Sequence, residues 1–173
     1  SPYLTISAFA LNPQLFPVAE PPQPSNSEFL NFCQQQAHWL DDFARFTLIR
    51  HQFDNQPWYR WPIEIRDRDP AALAAFDQQY ISELNEIRWL QYHCYQSWQQ
   101  IRSEAATRNI ALFGDMPIFV AHDSADVWAQ PQNFLLNAEG LPTLVTGVPP
   151  DYFSETGQRW GNPHYNWQQM EQS

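Results

Sequence analysis

The chain has 173 residues, 43% of them apolar and 16% aromatic, with eight tryptophans and a formal net charge of −10. That length and composition suit one globular domain with a sizeable core and exclude a disordered chain. An acidic chain without a basic stripe excludes nucleic acid and anionic membranes as partners, and no run approaches the roughly 18 apolar residues of a membrane helix.

Residues 1–19 are short apolar runs cut by Pro and Asn, which predicts an extended loop. The chain opens on Ser1-Pro2-Tyr3, with no Met and no basic and apolar signal-peptide regions, so the expectation is a piece of a longer cytoplasmic protein. Pro21-Pro22-Gln23-Pro24 is a stiff connector. Ser25 and Glu28 then stand three apart, as a capping box requires. Behind them Phe29, Phe32, Cys33, Ala37, Leu40, Phe43, Ala44 and Thr47 keep a helical period, predicting a helix over about 26–52.

Pro57 to Pro62 breaks that helix, and Asp69 with Pro70 signals a second start. Leu73, Phe76, Tyr80, Leu84, Ile87, Cys94, Trp98, Ile101 and Ala105 predict one long helix, or two in line, ending near Asn109. Ile110 to Phe113 reads as a strand buried on both faces. Gly114 and Pro117 end it, leaving Asp115 just past its carboxyl end. Asp123 to Trp128 fits a short helix capped by Asp123 or Ser124. Residues 147–167 read as a long irregular stretch rich in Gly, Pro and aromatics, and a loop of that length is usually functional. Two long helices and a buried strand suit an α/β fold. One strand makes no sheet, so either its neighbours lie outside this chain or the run is not a strand.

Asp115 fits two readings equally: an acid at a strand mouth, where barrel enzymes place their chemistry, or a cap for the next turn. The second candidate is Asp151, Tyr152, Phe153, Glu155, Arg159, Trp160, Asn162, His164, Tyr165 and Trp167. A sugar has apolar C–H faces and a hydroxyl rim, so its site needs flat rings beside short carboxylates and amides. From the residues alone, a loop folded onto its own domain explains the same pattern slightly better. Cys33 and Cys94 read as reduced core residues, and the scattered histidines as structural rather than metal ligands. No nucleotide, zinc-protease or hydrolase-elbow motif appears, so neither cofactor nor metal is expected.

Three segments carry a family resemblance. Gly114-Asp115-Met116-Pro117-Ile118-Phe119-Val120-Ala121 followed by Asp123-Ser124-Ala125-Asp126-Val127-Trp128 resembles the third-strand region of amylomaltases, the 4-alpha-glucanotransferases of the α-amylase superfamily. Gly147-Val148-Pro149-Pro150-Asp151-Tyr152-Phe153-Ser154, Gly157-Gln158 and Trp160-Gly161-Asn162-Pro163 resemble that family's loop over the glucan site. Ser1-Pro2-Tyr3, Ser7-Ala8-Phe9-Ala10 and Asn12-Pro13 are similar to its loop after the second strand.

The resemblance implies an incomplete segment of a TIM (β/α)8 barrel. Residues 1–20 would be a barrel loop, 21–109 a helical insertion between strands, and 110–173 the third strand and glucan-site loop. It implies transfer of α-1,4-glucan between maltooligosaccharides with retention, through a covalent intermediate and two carboxyl groups about 5–5.5 Å apart. In the family those carboxylates follow the aromatic loop, so none of the catalytic residues is expected in this segment, and the rest of the barrel would come from the same polypeptide. Asp115 resembles a supporting acid. Tyr3, Asp151, Tyr152, Phe153, Trp160 and Asn162 resemble substrate-binding residues, and closure of their loop would shield the intermediate from water. The alternative is a non-catalytic carbohydrate-binding module or relic of the family.

Overall fold

A computed structural model describes residues 9–16, 27–115 and 117–172. Tyr3, Ser25 and the proline connector lie outside them. Helix α1 spans Ser27–Gln52, as its periodicity predicts. It ends where Asp54 and Asn55 take positive φ, residue types that tolerate the left-handed region. The Asn55 amide there donates to the Arg50 carbonyl at 2.8 Å, which satisfies one of the helix's last acceptors. A one-turn helix α2 follows at Ile63–Arg66. Helix α3 covers Pro70–Gln79, with Asp69 accepting from the Ala72 amide and Pro70 in the first turn. Tyr80 breaks the helical dihedrals, and α4 continues over Ile81–Thr107. The predicted long segment is therefore two helices in line. It stops at Asn109, whose φ is 56°.

Helices α1 and α4 pack antiparallel through two apolar clusters. At one end Phe29 and Phe32 meet Trp89, Tyr92 and Tyr95, with ring centroids 5.2–5.8 Å apart. At the other, Ala44 and Leu48 close on Leu84. The buried Gln91 carboxamide exchanges two 2.9 Å hydrogen bonds with the Leu11 backbone, tying the 9–16 segment to α4. Both thiols are free, Cys94 fully buried and Cys33 half-buried, and burial pushes each above the usual thiol range.

The main core lies on the other side of α1. Phe43, Phe46 and Ile49 face Trp58, Trp61, Val127 and Trp128. Trp128 sits on the short helix α5, Ala125–Ala129, which Ser124 caps by accepting from the Val127 amide. Arg68 stacks 4.5 Å over the Trp128 ring and pairs with Asp42, which also binds Arg45. This part of the chain is held by rings and bridged charges rather than by a sheet.

Two expectations are corrected. Residues 110–113 form no strand: Ile110, Leu112 and Phe113 are exposed, Phe113 completely at 102%. A parallel strand is stable only between hydrogen-bonded neighbours, and the described residues offer none. Residues 147–167 are also less irregular than expected. They carry most of an antiparallel hairpin, β1 at Val145–Val148 and β2 at Gln158–Pro163, the one sheet among the described residues. The described residues are thus mostly helical and form no closed barrel. No described helix is long and apolar enough to cross a membrane.

Candidate functional site: an anchored aromatic hairpin

The hairpin pairs Gly147 with Arg159 and Val148 with Gln158, with an irregularity before Gly147. Glycine is required at two points. A Cβ on Gly147 would lie 2.5 Å from the Gln158 carbonyl oxygen, and one on Gly157 would lie 2.6 Å from that of Val148, where φ is already +74°.

The base of the hairpin is tied to the segment after Asp115. The Asn162 side-chain amide donates to the Val120 carbonyl at 2.7 Å, and the Tyr165 hydroxyl donates to that of Ile118 at 2.8 Å. Thr146 donates to the Asn162 side-chain oxygen at 3.5 Å, so Asn162 is engaged at both ends. The Tyr165 ring sits between Phe119 and Phe134, and burial raises its hydroxyl pKa. Trp160 meets Phe119 edge-on at 6.3 Å, donates its ring N–H to Gln158, and leaves half its surface, 51%, in solvent.

The tip is a turn of its own. Asp151 and Ser154 bridge through their backbones, and the Asp151 carboxylate accepts from the amides of Phe153 and Ser154 at 2.9 and 2.8 Å. The Ser154 hydroxyl donates to the Gly157 carbonyl at 2.8 Å. The two corner residues of this turn face solvent. Tyr152 and Phe153 are 97% and 88% exposed, their rings perpendicular and 5.6 Å apart.

Of the residues singled out in the sequence, Asp151, Tyr152, Phe153, Trp160 and Asn162 share this hairpin. Asp115 is exposed at the start of the segment that anchors it, and no hydrogen bond of the hairpin reaches Asp115. Sequence reasoning missed the Val120 and Ile118 carbonyls as anchors and the double acceptor role of Asp151. The Asp-x-x-Ser spacing at the tip is the signal that suggests such a turn. Among the described residues no group of three or more His, Cys, Asp or Glu side chains is placed to hold a metal ion. Clefts of about 490 and 560 Å³ lie elsewhere, and neither is lined by Asp115, Tyr152 or Trp160. The exposed rings offer one wall of a site for an apolar-faced, hydroxyl-rimmed ligand; an opposite wall is not supplied by those clefts.

The sequence profile of glycoside hydrolase family 77, 4-alpha-glucanotransferase, matches residues 18–173. The 4-alpha-glucanotransferase of Synechocystis sp. is 46% identical over 144 residues, which are 83% of this chain and 28% of that protein. The Thermus thermophilus 4-alpha-glucanotransferase is 46% identical over 143 residues, 83% of this chain and 29% of that protein. Among solved structures, the amylomaltase of Streptococcus agalactiae in complex with acarbose superposes with a TM-score of 0.81 at 34% identity, over 87% of this chain and 30% of that one. The chain spans less than a third of the length of these relatives. With its profile matched over most of its length, and its fold shared with a solved member, the chain belongs to the 4-alpha-glucanotransferase (amylomaltase) family.

Proposed function

We propose that this chain supplies the glucan-gripping hairpin of a 4-alpha-glucanotransferase acting on maltooligosaccharides in the cytoplasm, with retention through a covalent glucosyl intermediate. The observation that carries the reading is the exposure of Tyr152, Phe153 and Trp160 on an anchored hairpin. Tyr152 and Phe153 in water, with Trp160 half exposed, forgo part of the stabilisation of burial, roughly 1.5–3 kcal/mol for a fully buried side chain of this size, and a ligand whose sugar faces cover them would recover it. The acarbose bound to the Streptococcus agalactiae relative supports an α-glucan-like ligand.

In this reading Trp160 is a stacking platform, and Tyr152 and Phe153 contact the acceptor. Asp115 supports the reaction centre from the mouth of a third barrel strand, and Tyr3 lines the donor side. Residues 1–20, 21–109 and 110–173 are then barrel loop, helical insertion, and strand with glucan loop. The bare apolar run Ile110–Phe113 supports the partition, because exposed apolar residues gain stability once further chain covers them. The rest of the same polypeptide would cover it, and would bring the nucleophile and the acid/base, since retention needs two carboxyl groups about 5–5.5 Å apart.

The test is Trp160→Ala in the full-length gene product. We expect the KM for maltotriose to rise about five- to tenfold through lost stacking, with the unfolding midpoint unchanged. An unaltered dependence on acceptor concentration overturns the stacking role.

A further inference from the structure

Asp151 stands beside the exposed rings and carries a charge, which invites its assignment as a direct sugar ligand. The hydrogen bonds point elsewhere. One carboxylate oxygen, Oδ1, accepts from both the Phe153 and Ser154 amides, while the Asp151 backbone exchanges bonds with Ser154 at 2.9 and 3.3 Å. A second turn follows at once: the Gly157 amide donates to the Ser154 carbonyl at 3.2 Å, and the Ser154 hydroxyl donates to the Gly157 carbonyl at 2.8 Å. Two turns in series, each closed by a side chain and by backbone, fix the corner that carries Tyr152 and Phe153.

We infer that Asp151 is a positioning residue: its Oδ1 holds the 151–154 turn so that the Tyr152 and Phe153 rings stand outward in the geometry that meets the glucan. The inference rests on the glucan-gripping reading and deepens it. The argument is one of entropy. The two rings touch each other but are 97% and 88% exposed, so the turn beneath them sets where they stand. One side-chain oxygen that accepts two amide protons closes the turn over both residues at once. It sets the backbone before any ligand arrives, so less ordering remains to be done on binding. The requirement is for an acceptor oxygen at that point and not for a negative charge facing the sugar.

The substitutions Asp151→Ala and Asp151→Asn separate these roles. Asn keeps an Oδ1 acceptor and loses the charge, whereas Ala loses both. In the full-length gene product, measured with maltotriose, Asp151→Ala is expected to raise acceptor KM about fivefold or more with kcat within about twofold, and Asp151→Asn to stay within about twofold of the native protein in both. Amide exchange at Phe153 and Ser154 should accelerate in Asp151→Ala and be restored in Asp151→Asn. Tyr152→Ala is the control for the underlying reading. If it leaves acceptor KM unchanged, the glucan-gripping reading fails and this inference fails with it. If Tyr152→Ala raises KM while Asp151→Asn is as impaired as Asp151→Ala, or while Asp151→Ala behaves as native, the inference alone is overturned.

Discussion

His122 sits in a knot of three segments. Its ring stacks on Tyr59 at 4.6 Å and nearly parallel, its Nε2 lies 2.6 Å from the Gly140 carbonyl oxygen, and its own carbonyl accepts from the Trp58 ring N–H at 2.7 Å. Gly140 has φ +76°, and a Cβ there would strike the Trp58 ring at 2.5 Å, so no other residue fits. Burial lowers the His122 pKa below its ordinary value of 6.5, while the Gly140 carbonyl and Asp123, itself paired with Arg50, oppose the shift. The sign follows from linkage. As pH falls through about 6.5 the unfolded chain takes the proton first, so the stability this residue provides is complete above that pH and is lost below it. The native chain should therefore lose part of its stability advantage over His122→Gln on going from pH 7.5 to 5.5. Urea unfolding at both values checks this, and a constant difference between the two proteins rules the titration out. Sequence gave a structural reading of the scattered histidines, which fits His122. It could not show the stack, because the partners are 18 to 64 positions away.

The two long helices were legible because each repeats its apolar residues every three or four positions and carries its own stop signals. Asp69, Pro70 and Asn109 act locally, so their effect needs no knowledge of the rest of the fold. The hairpin was not legible. β1 has four residues, and β2 interrupts its run with Gly161, Asn162 and Pro163, so neither shows the alternation that marks a strand. Ile110–Phe113 misled in the opposite sense: its composition is that of a buried strand, but pairing depends on neighbours that a local reading cannot supply. Within α4 the packing divides sharply. Leu84 is fully buried against α1, whereas Ile101 lies beyond the contact and is half exposed. Leu84→Ala should cost about 2–5 kcal/mol in a urea titration, and Ile101→Ala no more than about 0.5 kcal/mol. Equal losses would show that α4 is held along its whole length.

At the scale of the molecule, the family was readable from three ordered stretches of sequence, while the role of each side chain within the hairpin was not, since hydrogen-bond partners are set by the fold. The present chain, assayed alone, should release no glucose from maltotriose above background, because on the proposed reading the two carboxyl groups that glycosyl transfer needs come from the rest of the polypeptide. Glucose and longer dextrins appearing together would contradict this.

The anchoring of the hairpin at Ile118 and Val120 has a dynamic consequence. Swinging β1 and β2 as a body requires breaking the bonds from Asn162 and Tyr165 and pulling Phe119 away from its ring partners. Rotation of Tyr152 and Phe153 about their side-chain torsions breaks only their contact with each other, and exposed side chains rotate in picoseconds to nanoseconds, far faster than microsecond hinge motion. The base of the hairpin is thus tied down, while its two outermost side chains remain able to turn.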